Sequence, residues 1–274
     1  MSSGLFSDRI KTRKTPKNNI LKKMPAPVIY SPLAYGIDNR CTGKGVKIAL
    51  LDSGCPQHKD IKIEGDKISF SDENINTSDK NGHATAMAGI LNANNKKSIM
   101  GFAPHAQILF GKIMDTHGVC NFNSLVAGIL WGIVKEVDII VIPLGSLYDY
   151  IVLHDSIKKA KEHGICVFAA AGDTGIGPEW EMEFPARYDE VFSVGYLKRT
   201  KAQNNVIKES VDFYLPNKSL YTTYLNNKYV KMSGSSISTA FFAGLGTVLI
   251  EQYKKENKRD IPNYVYSALL NVSK

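Results

Sequence analysis

The sequence has few cysteines and no long apolar run, and both shortages limit what the chain can be. No apolar stretch reaches the roughly 18 residues of a membrane span, so no transmembrane segment is predicted. The N-terminus also lacks the apolar core of about 7–15 residues that a secretory signal peptide requires. The four cysteines form no CxxC pair, which argues against a zinc or redox motif. We therefore expect a cytoplasmic protein with reduced thiols and no membrane partner.

Most of the net positive charge lies at the N-terminus. The formal net charge is +8, but residues 1–24 contain seven basic side chains and one acid. The rest of the chain is nearly neutral, so no basic face for nucleic acid is expected. We divide the chain into a basic N-terminal extension at 1–40, either a mobile tail or a pro-segment, and one catalytic-type domain at 41–274. The oligomeric state stays open.

Apolar segments of strand and helix type alternate along the domain. Short apolar runs predict strands at 46–52, 107–114, 137–145, 165–171 and 190–197. Helical spacing predicts helices at 82–93, 123–136, 152–163, 236–252 and 261–272. Nearly continuous apolar strands that alternate with helices are typical of a parallel sheet covered on both faces. The predicted fold class is therefore α/β, a three-layer, mostly parallel sheet with helices on both faces.

Three polar residues occupy the ends of these predicted elements. Asp52 closes the first strand, His83 opens the helix that follows, and Ser236 opens the long C-terminal helix. In open α/β sheets, functional groups gather at the carboxyl ends of strands. Each residue also has an ordinary explanation, as a turn residue, a surface histidine or a helix N-cap. Position alone does not decide between these interpretations.

The residues around the three positions carry a family resemblance. ALLDSG, GHATAMAG and SGSSISTAFFAG resemble the three active-site segments of subtilisin-like serine proteases, the subtilase family. GFAPHAQILFGKIMD, IPLGS, FAAAGDTG and FPARYDEVFSVG resemble further segments of that family in the same order. The resemblance covers about residues 40–255. It implies a serine endopeptidase, of intracellular or specialised maturation type, whose partner is a peptide or protein substrate.

The resemblance implies a role for each of the three residues. Ser236 would be the nucleophile, His83 the general base and then acid, and Asp52 the carboxylate that orients the imidazole. A serine hydroxyl is a weak nucleophile at neutral pH, so it needs a neighbouring base. At the start of a helix, the backbone N–H of Ser236 would also point at the developing oxyanion.

One residue departs from the family pattern at the oxyanion hole. The resemblance places Asp173 beside Ser236 there, where most subtilases have an asparagine that donates a hydrogen bond. An ionised carboxylate cannot donate and would repel the oxyanion. Either Asp173 keeps a proton during the reaction, as carboxyls in apolar surroundings can, or the Ser236 amide acts with another donor.

The resemblance also implies how substrate binds. An extended peptide would lie between residues 118–121 and 143–146, adding a strand to both. The implied substrate-binding residues are Gly118, Leu144, Gly145, Ala171, Gly172 and Glu183. Glu183 would lie at the floor of the primary pocket and favour Lys or Arg before the scissile bond. Glu179 and Glu181 precede it at alternate positions, so an extended segment would point all three the same way; the alternative is a solvated acidic loop.

No cofactor is expected to be required for catalysis, and a structural calcium ion is left open. Asp60 and Asn95 fall where many subtilases bind Ca²⁺, and oxygen ligands suit that ion. Lys96 and Lys97 in the same loop argue against it. The Pro-rich segment 18–34 is hypothesised to lie across the active site as an inhibitor.

Two alternatives to hydrolysis stay open. The first is a transpeptidase or macrocyclase on the same scaffold, in which an amine resolves the acyl-enzyme instead of water. The second is a pseudoprotease that serves as a binding module, for which Asp173 is the support.

Overall fold

The computed structural model describes residues 9–11, 20–38, 40–71, 75–173, 181–197, 211–216, 218–255 and 260–272. In chain order the strands are β1 (Arg9–Lys11), β2 (Ile20–Leu21), β3 (Val28–Ile29), β4 (Lys47–Asp52), β5 (Lys67–Ser69), β6 (Asn94–Asn95), β7 (Ile99–Met100), β8 (Gln107–Lys112), β9 (Val119–Asn121), β10 (Ile139–Ile142), β11 (Cys166–Ala170), β12 (Phe192–Leu197), β13 (Phe213–Pro216), β14 (Leu220–Tyr224) and β15 (Lys228–Met232). The helices are α1 (His83–Asn92), α2 (Phe122–Val134), α3 (Ile151–Glu162), α4 (Ser235–Lys255) and α5 (Ile261–Val272).

A seven-stranded sheet forms the middle layer of the domain. Its spatial order is β13, β12, β11, β10, β4, β8 and β5, and every neighbouring pair is parallel. The predicted α/β class with a mostly parallel sheet is confirmed. Because the strands run in one direction, their carboxyl ends meet at one edge, where functional groups gather.

Helices cover both faces of this sheet. Within β4, Ile48 and Leu50 pack into the core that contains α1, α4 and α5, whereas Ala49 and Leu51 pack into the core that contains α2 and α3. This alternation follows from the two-residue period of a strand. It explains why the apolar run is continuous, since neither face of the strand meets water.

The predicted strand at 137–145 is longer than the observed one. β10 ends at Ile142, and the next residue, Pro143, lacks the N–H that would continue a ladder. Residues 143–146 therefore leave the sheet, and Ser146 makes a short antiparallel bridge with Phe184 instead. This departure takes residues 143–146 out of the ladder at the carboxyl edge of the sheet.

Three small sheets surround the main one. β2 pairs with β15 in the sheet that contains the β14–β15 hairpin, and β3 pairs with β7. β1 pairs with β9 in antiparallel orientation. β14 and β15 form this hairpin after β13, and residues 198–210 and 217 lie outside the described residues. No helix within the described ranges is long and apolar enough to cross a membrane.

Candidate active site

Asp52 and His83 form a buried pair at the carboxyl edge of the sheet. Asp52 is the last residue of β4, and His83 is the first residue of α1. His83 Nδ1 lies 2.9 Å from Asp52 Oδ1 and 2.8 Å from Oδ2. Nδ1 therefore donates to the carboxylate, which leaves Nε2 as the acceptor of a neutral ring.

The charges around His83 change its proton affinity. Burial by itself would lower the pKa of His83, because it disfavours the imidazolium. The charge and hydrogen bond of Asp52, with smaller contributions from Asp79 and Asp173, outweigh burial and raise that pKa above its ordinary value. Three carboxylates thus act on one imidazole, an arrangement that stabilises the protonated ring.

Ser236 lies in the first turn of α4, which begins one residue earlier than predicted. Its hydroxyl is half-buried and donates to the carbonyl oxygen of Pro143 over 2.7 Å. Within the described chain this is the one hydrogen bond of that hydroxyl, so the structure does not join Ser236 to His83 directly. Catalytic hydrogen bonds are often incomplete before substrate binds.

Asp173 connects the Ser236 turn to the histidine. Its Oδ1 accepts the backbone N–H of Ser235 over 2.5 Å. A Cβ placed on Gly234 would lie 2.7 Å from Asp173 Oδ2, so only glycine fits there. The charge of the same carboxylate also contributes to the raised pKa of His83.

Glu183 lies against the backbone of Gly145 and Gly172, two of the predicted substrate-binding residues. A Cβ on Gly145 would lie 2.6 Å from Glu183 Oε2, and a Cβ on Gly172 would lie 2.7 Å from Oε1. The Glu183 N–H donates to the Ala171 carbonyl at 3.1 Å. Leu144 is buried in the core beneath. These residues are therefore brought together, with a carboxylate between two glycines.

The predicted common direction of the alternate glutamates is wrong for the two that can be compared. Glu181 is exposed and forms an ion pair with Arg187 at 3.4 Å, whereas Glu183 packs inward. Residues 181–183 form no strand, so the two-residue period does not apply to them. Glu179 lies outside the described residues.

β9 contains three of the residues 118–121 that were predicted to contact substrate, and it follows Gly118, which has a positive φ of 78°. One edge of β9 bridges to Met114, and β1 occupies the opposite edge.

The hypothesis that segment 18–34 lies across the site is wrong. Its two strands, β2 and β3, pair with β15 and β7, because their apolar residues pack into the cores there.

The surroundings of Asp60 do not fit a calcium ion. Asn95 Nδ2 donates to Asp60 Oδ1 over 2.7 Å, and Ser98 Oγ and the Tyr229 hydroxyl donate to Oδ2, each over 2.6 Å. Both carboxylate oxygens thus face hydrogen-bond donors, and the Asn95 amide presents its nitrogen. Among the described residues, no group of three or more His, Cys, Asp or Glu side chains could hold a metal ion.

Sequence reasoning missed three groups at this site. Asp79 and Ser53 contact the start of α1, and the Pro143 carbonyl accepts the Ser236 hydroxyl. An acidic residue just before a predicted helix is a capping signal that could have indicated Asp79. No sequence signal indicates a carbonyl oxygen as the partner of Ser236.

Comparisons with known proteins show the family of the chain. Residues 43–271 match the model of a family described as the subtilase family. The chain is 37% identical over 211 residues to the minor extracellular protease Epr of Bacillus subtilis. This alignment covers 76% of this chain and 32% of that protein. It is 34% identical to the major intracellular serine protease of Bacillus subtilis over 78% of this chain and 71% of that one. It is 33% identical to the intracellular serine protease of Paenibacillus polymyxa, over 85% and 74% respectively.

Proposed function

The chain belongs to the subtilase family and is a subtilisin-like serine endopeptidase, and we propose that Asp52, His83 and Ser236 are its catalytic triad. The observation that carries this proposal is the buried contact of both Asp52 oxygens with His83 Nδ1. A family member acts on peptide or protein substrates, and we propose the reaction steps, the oxyanion donors and the substrate preference as well.

The proposed reaction starts with a rotation of the Ser236 hydroxyl away from the Pro143 carbonyl. The oxygen then attacks the scissile carbonyl carbon while its proton passes to His83 Nε2. The imidazolium, which Asp52 stabilises, gives the proton to the leaving amine. The amine departs and leaves the acyl group on Ser236 as an acyl-enzyme. Water then attacks the acyl carbon, His83 takes a proton from it, and Ser236 leaves with that proton. The raised pKa of His83 makes it a stronger base for the first step.

The oxyanion would be stabilised by the backbone N–H of Ser236 and by Asp173. One Asp173 oxygen is occupied by the Ser235 N–H, which supports the other oxygen as the group that faces the oxyanion. That oxygen can donate only if it carries a proton. We propose that Asp173 contributes a donor only in its protonated form, and that the Ser236 N–H otherwise acts with another donor.

Glu183 is proposed to select Lys or Arg before the scissile bond. Its carboxylate lies between Gly145 and Gly172, and a Cβ on either glycine would collide with it. A cationic substrate group would form a charge-assisted hydrogen bond there. Ala171 and Leu144 would line the wall, and the substrate backbone would add a strand beside Gly118 and β9.

The N-terminal extension is proposed to compete with substrate for β9. Ile10 lies opposite Cys120 in the antiparallel register, on the edge that an extended peptide would use. A tethered segment competes at an effective concentration that a free peptide must exceed. This role falls to residues 9–11 rather than to 18–34.

Location and metal dependence complete the proposal. We propose a cytoplasmic enzyme, which is supported by the lack of a disulfide between its four cysteines and by two relatives named as intracellular. We also propose that no cofactor is needed for catalysis, and that hydrogen bonds to Asp60 hold its loop without calcium.

The decisive experiment is labelling by a fluorophosphonate probe, read by mass spectrometry, together with hydrolysis of a peptide panel. We expect the label on Ser236, cleavage of the peptides, and neither result in Ser236→Ala. A labelled enzyme that joins an added amine in preference to water would favour the transpeptidase alternative. A folded chain that takes no label and cleaves no peptide would be a binding module and would refute the proposal.

A further inference from the structure

The helix that carries His83 begins without a capping side chain of its own. Its N-cap residue is Gly82, with a φ of 96°, and a Cβ there would lie 2.5 Å from the ring of Tyr224. The first N–H groups of a helix have no partner within it, and a buried N–H left unpaired is costly. The acceptors for the start of α1 must therefore come from elsewhere in the chain.

Two residues from outside the helix supply these acceptors. Asp79 Oδ2 accepts the Thr85 N–H over 2.8 Å and the Thr85 hydroxyl over 2.5 Å. Ser53 Oγ accepts the Ala84 N–H over 2.9 Å. Asp79 Oδ1 accepts the Gly82 N–H over 2.8 Å. The turn before His83 and the turn after it are thus held by one carboxylate and one hydroxyl.

The same hydrogen bonds continue to Asp52. The Ser53 hydroxyl donates to Asp79 Oδ1 over 2.9 Å, and the Ser53 N–H donates to Asp52 Oδ1 over 2.6 Å. The Asp52 carboxylate and the start of α1 are therefore connected through Ser53 and Asp79 as well as through His83. All four side chains are buried, with exposed fractions of 6% or less.

We propose that Asp79 is a positioning residue for the reaction. With Ser53 as its link to Asp52, Asp79 holds the start of α1, so that the His83 ring keeps its place between Asp52 and Ser236. The proposal rests on the proposed function, in which His83 is the base. Asp79 does not touch the substrate in this scheme and acts through the histidine. Its geometric effect is on kcat, because a base held in the wrong place slows proton transfer more than it weakens substrate binding.

Asp79 has a second effect through its charge. The charges that act on His83 come from Asp52 on β4, Asp79 before α1 and Asp173 after β11, and each raises the pKa of the imidazole. Removal of the Asp79 charge should lower that pKa. Since the base must be neutral to accept a proton, the acidic limb of kcat/KM should then move to lower pH.

The test compares three variants of the full chain. Asp79→Asn keeps an acceptor toward Gly82 but turns an amide NH₂ toward the Thr85 N–H, and it removes the charge. Ser53→Ala breaks the link between Asp79 and Ala84 but keeps both carboxylates. Asp212→Asn is the control, because Asp212 also accepts three protein hydrogen bonds, from Ser193 and Tyr266, without acting on His83.

The measurements are kcat, KM and the pH profile of kcat/KM on one peptide substrate, with thermal unfolding in parallel. For Asp79→Asn we expect kcat to fall about 10- to 100-fold, KM to change little, and the acidic limb to move to lower pH. Ser53→Ala should lower kcat and leave the limb in place. Asp212→Asn should lower Tm alone.

The outcomes separate this inference from the proposed function. Folded Asp79→Asn enzyme with wild-type kcat and an unmoved acidic limb would overturn the inference, and so would losses that only follow the unfolded fraction. If Asp79→Asn does not fold, unchanged kcat in Ser53→Ala overturns it instead. Absence of labelling and hydrolysis in the wild-type chain would refute the proposed function.

Discussion

Replacement of Asp173 by asparagine gives the sharpest test of the oxyanion hole. Asp173 Oδ1 accepts the Ser235 N–H, and an asparagine oxygen can accept the same bond. The asparagine NH₂ then takes the position of Oδ2, which faces Gly234 at the start of the Ser236 turn. The substitution therefore adds one donor and removes one charge while the shape of the side chain stays almost the same.

The expected gain follows from this single donor. Loss of one oxyanion donor costs about 10²–10³ in kcat, or roughly 2.7–4 kcal/mol, a magnitude that comes from subtilisin. We expect Asp173→Asn to recover a rise of that order where Asp173 is ionised. KM should change little, because the new hydrogen bond strengthens only when the oxyanion forms.

The assay is kcat and KM across pH on a peptide panel. The removed charge also lowers the pKa of His83, so the acidic limb of kcat/KM should move to lower pH in the variant. Asp173→Ala is the control, since it removes the charge without adding a donor.

Two results would refute this reasoning. A folded Asp173→Asn enzyme that is no faster than wild type at any pH would show that this side chain does not face the oxyanion. An equal gain in Asp173→Ala would show that the removal of repulsion, and not the donor, is what matters.

Three further predictions concern specificity, stability and the N-terminus. Glu183→Gln should lower kcat/KM about 10- to 100-fold for peptides with Lys or Arg before the scissile bond and leave Leu peptides unchanged; equal losses on both would contradict the pocket assignment. Excess EDTA should leave Tm unchanged, whereas Tyr229→Phe should lower the free energy of unfolding by about 1–3 kcal/mol in urea titrations, because it removes a donor to buried Asp60; a fall in Tm with EDTA would indicate a bound metal. Deletion of residues 1–19 should lower KM several-fold with kcat unchanged, and an unaltered KM would argue against competition for β9.

The elements that sequence predicted well are those whose pattern is local. The strand at 46–52 and the helix at 261–272 were recognisable because each carries its own apolar period. The strand at 137–145 was predicted too long because its apolar run continues past the point where Pro143 ends the ladder. The prediction that Glu181 and Glu183 point the same way was wrong because it assumed a β-strand, which residues 181–183 do not form.

The linear order of residues determined the α/β class, the family and the candidate triad, because buried strands and motif segments are visible in short stretches of chain. Only the tertiary structure decided which groups meet across long separations. Asp79 and Ser53 are 26 residues apart yet share a hydrogen bond under His83, and Tyr229 reaches Asp60 from 169 residues away. Such contacts depend on how the sheet, helices and hairpin pack together, and no local pattern of residues encodes that packing. The same packing surrounds Asp60 with hydrogen-bond donors and gives His83 its third carboxylate.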